Sequence, residues 1–139
     1  MATKIRDIMT GSPTAVSPEL DIVTVARAMR DEDIGAVLVA DDDRLYGLVT
    51  DRDLVVRGLA AGGDPTGAKV GGLCSDVTAT VGPDDSLDTA AERMRERSVR
   101  RLPVIENGKP VGIVSLGDLA IEKDSGSALA DISAAKGNA

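Results

Sequence analysis

The sequence has no histidine, tryptophan or phenylalanine, and only one cysteine (Cys74) and one tyrosine (Tyr46) in 139 residues. Without an imidazole there is no Ser-His-Asp or Cys-His relay, no His-ligated zinc and no side chain that ordinarily titrates near neutrality. A single cysteine excludes an intrachain disulfide and a Cys-x-x-Cys knuckle, so nothing points to an oxidising compartment. Long apolar runs are also missing. The longest, Ile34 to Ala40, has seven residues, against the ~20 that span a bilayer, and Met1 to Gly11 carries no signal core. Positive charge is in deficit, with 16 Lys and Arg against 23 Asp and Glu, for a formal charge of −7. With neither a basic stripe nor an aromatic stacking platform, nucleic acid is not an expected partner. A small anionic ligand held at a local site remains compatible. The expectation is a soluble cytoplasmic protein with no membrane partner and the size of one compact domain.

What is present is written twice. Shifting the chain by 65 residues sets Pro18 on Pro83, Met29 on Met94, Gly47 on Gly112 and Asp53 on Asp118 without a gap. Between Val16 and Leu54 eleven positions are identical after the shift, where composition alone gives roughly three. The chain is therefore an internal duplication. A unit of ~65 residues buries only ~60% of its unfolded surface and one of ~130 nearer 68%, so the copies are expected to fold together around one core.

Each copy carries the same pattern. Thr14-Ala15-Val16 and Ala79-Thr80-Val81 are short β-capable runs, each followed by a proline that stops the pairing. Ile22, Val25, Ala26 and Met29, and then Leu87, Ala90, Ala91 and Met94, recur at helical spacing behind the candidate N-caps Asp21 and Ser86. Ala36 to Val39 and Leu102 to Ile105 are followed by polar turns and by returning runs Tyr46 to Val49 and Val111 to Val114, which read as antiparallel pairs. A last helix is expected after Thr50 and after Ser115. Gly58 to Gly72 reads as the connection, with one helical turn around Lys69 to Leu73; Lys4 to Met9 is its equivalent, setting Ile5 on Val70. From Asp124 onward little can be buried, and a frayed or weakly helical tail is expected.

The strongest constellation is Gly47-Leu48-Val49-Thr50-Asp51-Arg52-Asp53, repeated as Gly112-Ile113-Val114-Ser115-Leu116-Gly117-Asp118. An apolar strand ends on a hydroxyl at a helix start, and a carboxylate follows three positions later. One reading is a capping box, with Asp in place of the usual Glu, in which hydroxyl and carboxylate each satisfy an orphan backbone N–H. The other is a ligand site: free N–H groups and the positive helix end attract a phosphate, the hydroxyl donates to it, and the Asp accepts from a ribose diol. Both readings draw on the same Asp oxygens.

Two ungapped β-α-β-β-α copies, the Arg-Leu-Pro-Val strand at Arg101 to Val104 and the doubled Gly-apolar-Val-Thr/Ser-x-x-Asp motif resemble a tandem pair of CBS domains, a Bateman module. The overall look, including Arg57 to Gly62 in the connection, is similar to small stand-alone bacterial CBS-domain proteins of the hypoxic-response type. The resemblance implies an α/β architecture of two β-α-β-β-α CBS repeats packed as one pseudo-two-fold module. Residues 1–62 would be repeat 1 with an N-terminal helix, 63–123 repeat 2 with the connecting segment, and 124–139 the tail. It also implies a regulatory, non-catalytic protein that binds AMP, ADP, ATP, S-adenosylmethionine or a NAD-type molecule in clefts between the repeats. No cofactor or metal is then required, and a homodimer and an unknown protein target are expected. On this resemblance Thr50 and Ser115 match the phosphate-side hydroxyl, and Asp53 and Asp118 the ribose carboxylate. The base side maps to Gly11, Ser12 and Pro13 with Ala36 in copy 1, and to Val77 and Thr78 in copy 2.

The copies differ where a phosphate needs a cation. Copy 2 has Arg100 and Arg101 before its second strand, whereas copy 1 has Gly35 and Ala36 there, leaving Arg52 as its nearest cation in sequence. The arginines could instead complement the end of the preceding helix. As a ligand feature, the asymmetry leads to the expectation that copy 2 prefers a phosphorylated nucleotide and copy 1 a less anionic ligand. Cys74 takes the slot of Met9 and reads as packing; Asp41 to Asp43 reads as a solvated turn, lacking the ligand pattern of a calcium loop. A structural dimer with empty sites is the rival function, and an enzyme lacks any activated nucleophile or acid-base pair.

Overall fold

The computed structural model describes residues 3–42, 44–77 and 79–123. The expected tail at 124–139, Asp43 of the acidic turn and Thr78 of the base side lie outside the described residues. Among those described, the residues up to Pro13 together with those from Ala79 onward form one compact unit, and Thr14–Val77 forms the other.

The Thr14–Val77 unit contains β2 (Ala15–Val16), α2 (Ile22–Glu32), β3 (Ala36–Ala40), β4 (Leu45–Thr50) and α3 (Asp51–Asp53). Its sheet runs in the order β2-β3-β4, with β2 parallel to β3 and β3 antiparallel to β4. Asp21 caps α2 by accepting from the Thr24 amide at 2.9 Å, and Asp33 closes it in the left-handed conformation. The last helix departs from expectation: after α3 the chain widens into a π-helical stretch at Leu54–Gly58 and tightens into a 3-10 turn at Leu59–Ala61. Gly58 lies in that wide turn, where an added Cβ would come within 3.0 Å of Ile22 Cδ1.

The other unit contains α1 (Ile5–Ile8), β1 (Thr10–Gly11), α4 (Leu87–Arg97), β5 (Arg101–Glu106), β6 (Lys109–Ser115) and α5 (Leu116–Lys123), with sheet order β1-β6-β5. Ser86 caps α4 by accepting from Thr89 N at 3.2 Å. The run Ala79-Thr80-Val81 does not form the expected strand. Only Val81 bridges to Val104, because the bond that Leu38 N donates to Thr14 O at 3.0 Å in the other half has no counterpart: the equivalent of Leu38 is Pro103, which has no N–H to offer Ala79 O.

Two corrections follow from the packing. Instead of one shared core there are two clusters of nine buried residues each, and they correspond one for one at the spacing of 65. Val16, Ile22, Val25, Met29, Val37, Val39, Val49 and Leu54 match Val81, Leu87, Ala90, Met94, Leu102, Val104, Val114 and Leu119. The ninth member is exchanged: Ile5 fills the core of the second copy and Val70 that of the first. The expected boundary near residue 62 therefore moves, because the N-terminal helix belongs to repeat 2 and the connecting segment to repeat 1. The dockings are equivalent. Ile5 N and Arg6 N donate to Asp85 O and Pro83 O at 3.0 and 2.8 Å, as Val70 N and Gly71 N donate to Leu20 O and Pro18 O at 2.8 and 2.9 Å. Each half thus completes its own apolar interior with a borrowed closing residue.

Candidate functional site

Both motif copies form capping boxes. Thr50 Oγ1 accepts from Asp53 N at 3.1 Å while Asp53 Oδ2 accepts from Thr50 N at 2.9 Å. Ser115 Oγ accepts from Asp118 N at 3.1 Å while Asp118 Oδ2 accepts from Ser115 N at 2.8 Å. The two readings of the motif do not compete as expected, because they use different atoms. In each box the hydroxyl spends a lone pair and keeps its O–H to donate, and the carboxylate spends Oδ2 while Oδ1 has no hydrogen-bond partner among the described residues. A capped helix start with a spare hydroxyl donor and a spare carboxylate acceptor can bind a phosphate and a diol without dismantling the cap.

The strands set what stands beside each hydroxyl. Thr50 pairs with Ala36 and Ser115 with Arg101. The residue before each is fastened to the helix start: Asp51 N donates to Gly35 O at 3.0 Å, and Leu116 N to Arg100 O at 2.8 Å. Arg100 is exposed, Arg101 half-buried, and neither forms an ion pair among the described residues. Arg52 is exposed, and its amide donates to Asp51 Oδ1.

The base-side residues are regrouped by the exchange. Gly11, in β1, pairs with Gly112 of β6, and Ser12 follows with φ 48° before Pro13, so all three belong to the unit of Ser115 and Asp118 rather than to that of Ala36. Val77 belongs to the unit of Thr50 and Asp53, two residues beyond Ser75, which bridges to Leu48.

The contacts of the motif glycines and the Thr14–Glu32 pair were not anticipated from the sequence. An added Cβ on Gly47 would stand 2.2 Å from Ser75 O, and one on Gly112 would stand 2.5 Å from Met9 Sδ and 2.9 Å from Thr10 O. The motif glycines therefore admit the crossing segments. Thr14 Oγ1 donates to Glu32 Oε1 at 2.6 Å at the start of β2, and the equivalents of this pair are Ala79 and Arg97. Cys74 packs beside Gly47, as Met9 does beside Gly112, and burial pushes its thiol above the ordinary range. Among the described residues no group of three or more His, Cys, Asp or Glu side chains could hold a metal ion, and no helix is long and apolar enough to cross a membrane.

Two equivalent halves, each ending an apolar strand on a capped hydroxyl and carboxylate, define a duplicated module with two helix-start sites. The profile of the CBS domain matches residues 5–58 and again 70–123, and the chain belongs to the CBS domain family. Hypoxic response protein 1 of Mycobacterium tuberculosis is 44% identical over 119 residues, covering 85% of this chain and 83% of that protein. The crystal structure of Hypoxic Response Protein I with two coordinated zinc ions is similar at 43% identity and a TM-score of 0.74, covering 86% of this chain and 98% of that one. The CBS domain pair of protein MJ0100, solved in complex with 5-methylthioadenosine and S-adenosyl-L-methionine, shares the fold at a TM-score of 0.75 and 21% identity, covering 86% of this chain and 94% of that one.

Proposed function

We propose that the chain is a regulatory CBS pair that binds an adenosine-containing ligand at Ser115/Asp118 and Thr50/Asp53 and passes the binding state to a protein partner in the cytoplasm. The observation that carries this is the pair of capping boxes whose hydroxyl hydrogen and Asp Oδ1 stay uncommitted. The hydroxyl serves the phosphate side, Asp Oδ1 the ribose diol, and the main chain around Gly11 to Pro13 and around Val77 and Thr78 the base. The adenosyl ligands of protein MJ0100 are consistent with that chemistry. No catalytic step is assigned. The zinc of Hypoxic Response Protein I is not carried over, because this chain has no histidine and a single cysteine.

Self-association belongs to the same proposal. Val55, Val56 and Leu59 are 55%, 47% and 59% exposed on consecutive turns, and a second copy would cover them.

Native mass spectrometry of freshly purified protein gives the ligand mass, its stoichiometry and the oligomeric state in one spectrum. Thermal unfolding with AMP, ATP and S-adenosylmethionine is the companion assay, since a ligand at 100 times its Kd adds ~2.7 kcal/mol of stability. Asp118→Ala, which removes a charge-assisted contact of ~2 kcal/mol, should weaken binding about 30-fold at that half. No retained mass and no shift with any of the three compounds would leave the boxes as helix caps only.

A further inference from the structure

We infer that the two halves sort ligands by charge: a phosphate-bearing adenosine derivative is held at the Ser115 half alone, and the Thr50 half turns phosphate away. This rests on the adenosyl-ligand reading above and adds to it a charge class and a stoichiometry of one per chain.

Positions equivalent in the fold differ in charge, always toward positive in the Ser115 half. Arg101 stands beside Ser115 where Ala36 stands beside Thr50, and Arg100 is bonded to its helix start where Gly35 is bonded to the other. Arg97, in the last turn of α4, replaces Glu32, the residue that reaches Thr14 in the other half. Leu116 replaces Asp51 as the first residue of the helix. Among the residues that adjoin each hydroxyl, Asp51 and Asp53 against Arg52 leave one net negative charge at Thr50, and Arg100 and Arg101 against Asp118 leave one net positive at Ser115.

The three arginines are also unspent. Arg6, Arg30 and Arg93 form ion pairs, whereas Arg97, Arg100 and Arg101 form none among the described residues. Arg101 is half-buried on β5, and no carboxylate among the described residues pairs with it. A guanidinium fork matches two phosphate oxygens, and the Ser115 hydroxyl beside it can donate to a third. In the other half, Asp51 and Asp53 repel a phosphate, and Arg52 between them offsets one of the two charges while Ala36 and Gly35 offer no guanidinium beside the hydroxyl.

Calorimetric titration of the full chain with AMP and with adenosine tests the sorting. One AMP per chain is expected. The preference for AMP over adenosine should fall at least tenfold in Arg101→Gln and by a smaller factor in Arg100→Gln, which is exposed and keeps the fold intact. Arg27→Gln, an exposed change on α2, should leave AMP affinity unchanged. Raising salt should weaken AMP but not adenosine. Two AMP per chain of equal affinity, or an unchanged AMP preference in both Arg101→Gln and Arg100→Gln, overturns the sorting while adenosyl binding stands. If neither compound binds, the functional reading beneath it falls as well.

Discussion

Replacing Gly47 with alanine tests the exchanged architecture directly. The new Cβ would lie 2.2 Å from Ser75 O and 3.1 Å from Ser75 C, so the backbone at Ser75 must retreat by about 1.2 Å to reach ordinary contact at 3.4 Å. That segment is held by two hydrogen bonds to β4, from Leu48 N to Ser75 O at 3.2 Å and from Ser75 N to Leu48 O at 3.0 Å. Losing both at ~1 kcal/mol each and loosening the packing of Leu73 and Cys74 gives about 3 kcal/mol, a large part of a typical 5–15 kcal/mol stability. Gly112→Ala meets a softer obstacle, since its nearest contact is the flexible end of Met9 and Thr10 O lies at 2.9 Å. About 1–2 kcal/mol is expected there, part of it recovered by adding Met9→Ala. Gly72→Ala, which meets open space, is the control and should stay within about 0.5 kcal/mol of the parent. Urea unfolding reads all three. A Gly47→Ala protein as stable as the Gly72→Ala control, or one less perturbed than Gly112→Ala, would refute the crossing contact.

Further outcomes follow from the same packing. Ile5 is fully buried in the repeat 2 core, so Ile5→Ala should cost about 3 kcal/mol in urea unfolding, as an interior residue does and a loose N-terminal arm does not. The Arg6 guanidinium, 2.9 Å from Asp84, holds that exposed carboxyl below the usual range. Because its folded value is lowered, its contribution is present above the unfolded value of ~3.9 and is lost as pH falls through the folded one. Melting curves of the parent and Asp84→Asn should therefore differ at neutral pH, converge in strong acid and draw together in 1 M salt. The raised Cys74 thiol should alkylate more slowly than a free thiol at pH 7.5 and reach the free rate in denaturant; equal native and unfolded rates would contradict its burial.

Much of the module was legible in the chain. The spacing of 65 placed each member of one nine-residue cluster on a member of the other, since identical periodicities bury identical faces. Asp21 and Ser86 announced α2 and α4 because a short acceptor before an apolar-periodic run satisfies amides that nothing else can reach. The hydroxyl and carboxylate boxes were legible for the same local reason. The π-helical stretch after α3 was not, because Leu54–Gly58 reads as an ordinary amphipathic turn.

The sequence by itself thus determined which residues turn inward, where helices begin and which sites are duplicated, all of which depend on neighbours a few positions away. Only the tertiary structure decided which half each borrowed segment completes. Ile5 and Val70 are interchangeable in pattern and both cores offer the same slot, so local preference cannot choose between them. The choice lies in long-range backbone bonds from Ile5 to Asp85 and from Val70 to Leu20, and in the absence of a Cβ at Gly112 and Gly47 where the segments cross.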